Sequence, residues 1–290
     1  MSIIIENVTH TYMEKSPFQS TAIHDVSLSV DEGEFLGIIG HTGSGKTTLI
    51  MHMNGLLKPS AGRVLVDGAD INQKGFDKRE IRRRVGIVFQ YPESQLFEET
   101  VAADVAFGPK NLGLSKAEID DRVNEALARV GVPMEIAERS PFDLSGGQMR
   151  RVAIAGVLAM RPSTLILDEP TAGLDPSGRR ELLELMENLH TSGVTVVMVS
   201  HSMDDISRLA TRIAVMRDGR LAMTGSPADI FARGGELIAM GLDIPPAARI
   251  AGALRAGGVH IPDELYKMRA LEDFLLSHFR DRGAKTGNCE

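Results

Sequence analysis

The stretch Gly40-His41-Thr42-Gly43-Ser44-Gly45-Lys46-Thr47 decides the fold of this chain. It fits the pattern G-x-x-x-x-G-K-[ST], a loop whose backbone N–H groups surround phosphates. An apolar run, Phe35–Ile39, enters the loop, and a helical segment that we predict from Lys46 to about Leu56 leaves it. Since a strand before the loop and a helix after it are the context that this motif requires, we predict a nucleoside triphosphate site here.

A second glycine-rich stretch, Leu144-Ser145-Gly146-Gly147-Gln148, lies much further along the chain. It opens a helix that we predict from Ser145 to Met160, where Pro162 ends it, and its N–H groups are also free to contact phosphate. One compact domain rarely holds one nucleotide with two such loops. The nucleotide is therefore predicted to be held from two sides, which implies a dimer.

Short apolar runs alternate with helical stretches, which predicts an α/β fold with a mainly parallel sheet. Four runs are apolar on both faces, as strands covered by helices are. They span residues 35–39, 85–89, 164–167 and 194–199. Three further runs alternate more and predict an antiparallel β subdomain, with turns at Gly33, Gly62 and Gly68. These span residues 3–8, 23–30 and 63–66.

Two helical regions are predicted beside the sheets. Apolar residues recur at helical spacing among charges between about residues 91 and 160, which predicts a helical subdomain between the two glycine-rich stretches. A hairpin-like turn at residues 217–220 precedes a change in composition. Glycine and proline pairs then separate three predicted short helices in residues 227–290, a small helical C-terminal domain. The nucleotide-binding domain is accordingly predicted to span residues 1–226.

Polar residues follow three of the buried runs, where parallel strands are predicted to end. Asp168 and Glu169 follow one run, Gln90 follows another and His201 follows a third. We expect these side chains near the phosphate loop because ligands bind at the carboxyl ends of parallel strands. One carboxylate could hold Mg²⁺ while the next polarises a water for attack on the γ-phosphorus. The same carboxylate pair would also suit a helix N-terminus before Pro170.

Four more residues are candidates for nucleotide contact. Lys46 can reach the β- and γ-phosphates, and the Thr47 hydroxyl can ligate Mg²⁺. Tyr12 could stack on adenine or simply pack in the core. Asp175 could cross a dimer interface or cap a helix that begins at Pro176.

Composition excludes several classes of protein. The formal net charge of −7 argues against a nucleic-acid partner. The single cysteine, Cys289, can form neither an intramolecular disulfide nor a metal cluster, and a reducing cytoplasm is its natural compartment. The N-terminus lacks the features of a secretion signal, and no run approaches the roughly 18 apolar residues of a membrane span. Membrane association would therefore have to come through a partner.

Taken together, the motifs resemble those of the ATP-binding cassette (ABC) ATPases over about residues 1–225. The matching elements are Tyr12, the 40–47 loop, Gln90, the 144–148 loop, residues 165–169, residues 172–175 and His201. The resemblance implies an α/β P-loop cassette with a RecA-like parallel-sheet core, an antiparallel β subdomain and a helical subdomain. It also implies a head-to-tail dimer with two ATP molecules between the subunits.

The resemblance further implies a role for each matched residue. Glu169 is expected to be the catalytic base and His201 the γ-phosphate contact, with Gln90 and Lys46 also catalytic. Magnesium is expected at Thr47, Gln90 and Asp168. ATP is expected to contact Tyr12, Gly40, His41, Thr42, Gly43, Ser44, Gly45, Lys46, Thr47 and Thr48 of one chain, and Ser145, Gly146, Gly147, Gln148 and Asp175 of the other.

A narrower resemblance comes from Gly40-His41-Thr42-Gly43 and from residues 89–100 and 146–156, together with the helical C-terminal region. These look like the ATPase subunits of energy-coupling factor (ECF) transporters, which import vitamins and transition-metal ions in prokaryotes. Within that family the chain looks like the second of two ATPase subunits that pair as a heterodimer, although a homodimer is possible. Such a subunit would be peripheral, on the cytoplasmic side of the cell membrane, beside a separate substrate-binding membrane subunit.

A transmembrane coupling subunit is expected to dock near Gln90 to Glu99. Glu93, Glu98 and Glu99 would form an acidic patch suited to arginines on a cytoplasmic helix of that subunit. A solvated acidic loop would have the same sequence. Two other interpretations stay open, namely a different ABC importer and a soluble ABC ATPase acting on nucleic acid or ribosomes. A regulatory nucleotide-binding module is disfavoured, because Glu169 and His201 are both present. The transported substrate is not encoded in any motif.

Overall fold

Two β-sheets organise the protein in this computed structural model, which describes residues 1–262 and 264–286. Cys289 lies outside the described residues. The smaller sheet is antiparallel, with the order β2-β1-β4-β5, which confirms the predicted antiparallel sheet. The strands are β1 (Ile3–Tyr12), β2 (Ser20–Val30), β3 (Phe35–Ile39), β4 (Ala61–Val66), β5 (Ala69–Asp70), β6 (Val85–Val88), β7 (Thr164–Asp168), β8 (Thr195–Val199), β9 (Arg212–Arg217) and β10 (Arg220–Gly225).

The larger sheet has the order β10-β9-β3-β8-β7-β6. Strands β3, β6, β7, β8 and β9 pair in parallel, and β10 pairs antiparallel with β9. The register places Ile38 of β3 and Asp168 of β7 on either side of Val199 of β8. The carboxyl ends of these three strands therefore lie at one edge of the sheet, as predicted.

Helices cover both faces of the larger sheet, and the chain segment that connects β6 to β7 is mainly helical. They are α1 (Lys46–Met53), α2 (Lys78–Arg84), α3 (Val101–Asn111), α4 (Lys116–Arg129), α5 (Gly146–Leu158), α6 (Pro176–Thr191), α7 (Met203–Leu209), α8 (Pro227–Ala232), α9 (Gly234–Ala239), α10 (Pro246–Ala256) and α11 (Met268–Thr286). A short 3₁₀ helix, Pro92–Gln95, follows β6. Among the described residues, no helix is both long and apolar enough to span a bilayer.

Successive residues of the parallel strands enter two different hydrophobic cores. Phe35 and Val196 lie in the core that includes α5 and α6, whereas Leu36 and Val197 lie in the core shared with the antiparallel sheet. A strand buried on both faces needs apolar residues at every position. This explains why the predicted strands of this sheet are continuous apolar runs.

Element ends differ from the prediction by a few residues. Helix α1 ends at Met53 rather than near Leu56, because Gly55 has a φ of 71°, outside the helical region. Helix α5 ends at Leu158 rather than Met160. The prediction also omitted β9 as a parallel strand.

The C-terminal region contains four described helices, α8 to α11, rather than the three predicted. The pair Gly234-Gly235 begins α9 instead of separating two helices. Ile230 and Leu237 of α8 and α9 belong to the large core, and α8 contacts β9 and β10. Helices α10 and α11 contribute to a smaller cluster around Ala251. The domain limits 1–226 and 227–290, and the helical subdomain at about 91–160, stay predictions.

Candidate nucleotide site

The carboxyl edge of the larger sheet borders a cavity of about 800 Å³. The cavity brings together the predicted residues from the phosphate loop and from three strand ends. Those that line it are Tyr12, Thr42, Gly43, Gly45, Lys46, Thr47, Thr48, Gln90, Asp168, Glu169 and His201. Gly40, His41 and Ser44 belong to the loop but are not in its lining, and Ser44 is fully buried.

The phosphate loop depends on glycine where it meets α1. Gly45 is the N-cap residue of α1, with a φ of 96° that side-chain-bearing residues rarely adopt. A Cβ atom there would lie 2.7 Å from both the Ala22 carbonyl oxygen and Cγ2 of Ile23. Only glycine therefore lets β2 approach the start of α1, whose N-terminal N–H groups favour an anion.

Lys46 begins α1 and extends back along the loop. Its Nζ donates hydrogen bonds to the carbonyl oxygens of Gly40, at 2.7 Å, and His41, at 3.0 Å. Burial lowers the pKa of Lys46, and the nearby charges of Glu169 and Asp168 only partly oppose this effect. A lysine in this position can place positive charge against phosphate oxygens.

Thr47 and Asp168 place two side-chain oxygen atoms next to each other in the cavity, where both could bind a metal ion. The Thr47 hydroxyl donates to Oδ2 of Asp168 at 2.8 Å. Burial raises the pKa of Asp168, although the Thr47 hydrogen bond and the Lys46 charge act in the opposite direction. Magnesium prefers such hard oxygen ligands and completes its octahedron with water and phosphate. The residues present therefore fit a magnesium ion, with Gln90 lining the same cavity.

Glu169 and His201 form a second polar pair, at the ends of β7 and β8. Oε2 of Glu169 lies 2.7 Å from Nδ1 of His201, and the Glu169 backbone N–H donates to the carbonyl of Val199 at 2.9 Å. Only 14% of the Glu169 side chain is exposed, compared with 75% for His201. The carboxylate is thus sheltered where a water could be polarised, while the imidazole extends into open space.

Tyr12 lies at the end of β1 and lines the cavity. Its hydroxyl is 3.1 Å from Oγ1 of Thr48, and its ring packs edge-on against His10, with 4.5 Å between centroids. His10 in turn packs edge-on against His52 at 4.8 Å. The Tyr12 side chain is exposed rather than enclosed in the core, which leaves ring surface for an adenine base.

A separate cavity of about 400 Å³ lies beside the second glycine-rich stretch. Ser145, Gly146, Gly147 and Asp175 line it, and it shares no lining residue with the first cavity. The chain therefore does not bring its own two phosphate loops together in one cavity. That each loop contacts a different nucleotide stays a prediction.

Two predicted nucleotide contacts of this second cavity act first as helix caps. Ser145 and Gln148 form a reciprocal capping box at the start of α5, so the Gln148 side chain is turned toward Ser145. Asp175 caps α6 by accepting from the Gly178 N–H at 2.8 Å. The capping alternative for Asp175 is thus present, although its side chain also faces the cavity.

The expected acidic patch needs correction at Glu93. Both carboxylate oxygens of Glu93 accept from Arg150, each at 3.0 Å, so this residue is engaged inside the protein. Burial would raise the pKa of Glu93, but the hydrogen bonds and charge of Arg150 lower it overall. Glu99 is exposed and Glu98 is half-buried. The acidic surface near Gln90 is therefore smaller than the sequence suggested.

Sequence reasoning missed part of the cavity wall. Thr21 and Ala22 of β2 and Asp218 and Gly219 of the β9–β10 turn also line it. The Gly219 N–H donates to the carbonyl of Ser44 at 3.2 Å, which fixes the turn against the phosphate loop. The turn itself was visible in the sequence, but this contact joins segments that are distant along the chain.

Comparison with known proteins agrees with this geometry. The profile of the ABC transporter family matches residues 23–172, just over half of the chain. This chain belongs to the ABC transporter family. The family predicted from the motifs is thereby confirmed.

Curated relatives in this family are similar over almost their whole length. The energy-coupling factor transporter ATP-binding protein EcfA2 of Symbiobacterium thermophilum is 57% identical over 92% of this chain and 93% of its own. The protein of the same name from Clostridium tetani is 50% identical, and the match covers 100% of both chains. The narrower resemblance to ECF transporter ATPases is confirmed by these relatives.

Solved structures in the family share the fold. The structure of cbiO1 from Clostridium perfringens, part of the ABC transporter complex cbiONQ, has a TM-score of 0.72 at 36% identity. It covers 86% of this chain and 97% of its own. A dimeric cassette, MJ0796, bound to ADP and Pi has a TM-score of 0.69 at 31% identity, with 78% and 98% covered. The predicted α/β P-loop cassette is confirmed.

Proposed function

We propose that this chain is the ATP-binding and ATP-hydrolysing subunit of an energy-coupling factor transporter, which energises import of vitamins or transition-metal ions. One observation carries the proposal. The Glu169–His201 pair and the Thr47–Asp168 pair lie in one cavity with Lys46, at the edge where three parallel strands end. That arrangement brings together the phosphate-binding, magnesium-binding and water-activating groups that one chain supplies for phosphoryl transfer to water.

Each group has a separate task in hydrolysis. Tyr12 supports the adenine, and Lys46 with the loop N–H groups binds the phosphates. Thr47, Asp168 and Gln90 would hold Mg²⁺, which when bound neutralises charge on the β- and γ-phosphates. Glu169 accepts a proton from the attacking water, and His201 contacts the γ-phosphate through its exposed imidazole.

The catalytic unit is proposed to be a dimer with a second ATPase subunit. The phosphate-loop cavity and the Ser145 cavity are separate in one chain, so each nucleotide needs loops from two chains. Relatives named EcfA2 and the dimeric cassettes support this arrangement. We favour a heterodimer, because the chain is similar to the second of two ATPase types.

A groove beside the Gln90 turn is proposed to receive the transmembrane coupling subunit. The groove has a volume of about 450 Å³ and lies where β6 and α2 meet α3 and α5. Its lining is mainly apolar and includes Leu56, Ile87, Phe89, Phe107 and Leu112. An amphipathic helix inserts its apolar face into such a groove. The subunit would then be peripheral to the cell membrane on its cytoplasmic side, with the substrate bound by a separate membrane subunit.

Substitution of Glu169 tests the proposed function. Glu169→Gln removes the proton acceptor but keeps the shape of the side chain, so we expect kcat for ATP hydrolysis to fall by about 100-fold or more. ATP should remain bound, because Lys46 and the loop are unchanged. The measurement is steady-state ATPase activity of the ATPase pair, together with the amount of ATP retained after gel filtration.

Glu187→Gln is the matched control. Glu187 lies on α6, is about half exposed and pairs with Arg208 away from both cavities. Its substitution should leave hydrolysis within about twofold of the wild type, as for most surface changes. Undiminished turnover in Glu169→Gln would refute the role assigned to this carboxylate.

A further inference from the structure

Arg150 lies where three loops of the candidate site meet. It belongs to α5, close behind Ser145, and only 4% of its side chain is exposed. Its guanidinium makes four hydrogen bonds. Two go to the carboxylate of Glu93, each at 3.0 Å, one to the carbonyl of Pro170 at 3.0 Å and one to the carbonyl of Ala172 at 2.7 Å.

These two carbonyls belong to the segment that directly follows Glu169. The residue between them, Thr171, donates from its hydroxyl to Oδ2 of Asp205 at 3.0 Å. Asp205 is itself buried and accepts two hydrogen bonds from Arg179, at 3.0 and 2.7 Å. Residues 170–172 are thus held from one side by Arg150 and from the other by Asp205.

Glu169 needs support of this kind. Its φ of 49° lies in the left-handed region, which is uncommon for a residue with a long side chain. Such a conformation persists when neighbouring contacts determine it. The contacts of residues 170–172 follow immediately, so they fix the backbone from which the carboxylate extends toward His201.

We propose that Arg150 is a positioning residue for Glu169. Its four hydrogen bonds all go to groups of this chain, although its side chain also borders the second cavity. Through them it fixes the 170–172 segment and joins it, by way of Glu93, to the turn after Gln90. The inference rests on the proposed ATPase function and deepens it. A movement of the Gln90 turn would in this way change the placement of the carboxylate.

A purely structural ion pair is the competing explanation, and the geometry separates the two. An ion pair between Arg150 and Glu93 requires only opposite charges. The contacts to Pro170 and Ala172 require, in addition, a planar group with several donors in fixed directions, which lysine does not have.

Arg150→Lys is the first test. A single ammonium keeps the charge beside Glu93 but cannot reach both carbonyls and both carboxylate oxygens. We expect kcat to fall about tenfold or more, because a small misplacement of a catalytic group is costly. The KM for ATP should stay within about threefold, since Lys46 and Tyr12 are unaffected. The measurement is steady-state hydrolysis by the ATPase pair.

Arg161→Gln is the matched control. Arg161 also makes a two-nitrogen contact with a carboxylate, that of Glu125, but it is about half exposed and lines neither cavity. Its loss should leave kcat within about twofold of the wild type. Hydrolysis by the wild-type pair is the reference, and if that pair were inactive the proposed function itself would fail, before any effect of Arg150 is compared.

Exchange of the two charges is the second test. Arg150→Glu combined with Glu93→Arg restores an ion pair but turns a carboxylate toward the carbonyls of Pro170 and Ala172. We expect the kcat of this double variant to be as low as that of Arg150→Lys. Recovery to within about twofold of the wild type, or a kcat in Arg150→Lys that is equally close, would overturn the positioning role.

Glu93→Gln covers the case in which Arg150 variants do not fold. It leaves Arg150 in place but weakens the hydrogen bonds between residue 93 and the Arg150 guanidinium, because an amide offers one acceptor oxygen instead of two. We expect faster amide hydrogen exchange in residues 171–175, by about threefold or more. Unchanged exchange in that segment would contradict the proposal.

Discussion

At the scale of single residues, the meeting of polar groups in the first cavity could be predicted because each lies at or just after the carboxyl end of a buried strand. Asp168, Glu169 and His201 follow apolar runs, and parallel strands bring such positions to one edge. Arg150 could not be predicted in the same way. Its partner Glu93 is distant in the sequence, and the pair exists only because α5 packs on the 3₁₀ helix after β6.

His52 gives a residue-scale prediction about pH. It is fully buried in α1, and His10 packs against its ring. Its Nδ1 lies 2.7 Å from the Thr48 carbonyl oxygen and is therefore the hydrogen-bond donor. Burial lowers its pKa from 6.5 to about 4. The unfolded chain therefore binds more protons between pH 6.5 and about 4, so stability falls as the pH falls through that range.

Replacement of His52 should remove this dependence. Between pH 7 and pH 5 the wild type is expected to lose about 2 kcal/mol of unfolding free energy more than His52→Leu does. Urea unfolding of both proteins at pH 5, 6 and 7 measures the difference. Parallel pH dependences in the two proteins would show that His52 is not the group responsible.

At the scale of elements, the parallel strands β3, β6, β7 and β8 could be predicted from the sequence. Strand β9, which has a charged residue at each end, could not. Strand β9 begins and ends with arginine, at Arg212 and Arg217, so its apolar run lies between two charged residues. Arg212 is nevertheless satisfied, since it pairs with Glu34 at the opposite end of the sheet from the candidate site. The predicted end of α1 was also wrong. The apolar pattern continues beyond Met53, but Gly55 adopts a left-handed backbone conformation that ends the helix.

The capping box of α5 gives an element-scale prediction with a control inside the same chain. Ser145→Ala removes the cap of α5, and Ser115→Ala removes an equivalent capping box from α4. Each change should cost about 1 kcal/mol of unfolding free energy. Only Ser145→Ala should also lower ATP hydrolysis by the dimer, because Ser145 lines the second cavity.

Thermal or urea unfolding and steady-state ATPase activity measure the two effects separately. Equal loss of hydrolysis in both serine variants would mean that helix stability, rather than contact with nucleotide, explains the effect of Ser145. No loss in either variant would remove Ser145 from the proposed site.

At the scale of the whole molecule, the separation of the two cavities predicts that two chains associate when ATP is bound. With ATP and Mg²⁺, the Glu169→Gln chain mixed with the second ATPase subunit should show the mass of a dimer, because bound ATP joins loops of both chains. ADP should not have this effect, since it lacks the γ-phosphate that we propose His201 and the opposite loop contact. Light scattering during gel filtration measures the mass.

The same measurement decides between the two kinds of dimer. The Glu169→Gln chain alone, at the same concentration and with ATP, should remain a monomer if the pair is heterotypic. A dimer formed by this chain alone would contradict the preference for a heterodimer, while leaving the composite site intact.

The separation of the two cavities has a genetic consequence. A defect at Glu169 and a defect at Ser145 lie in one polypeptide, yet they damage different sites of the assembled pair. Two alleles of the gene, one carrying each defect, therefore cannot complement each other in a heterodimer that contains a single copy of this chain. In a homodimer they could, because one of the two mixed sites would combine an intact Glu169 with an intact Ser145.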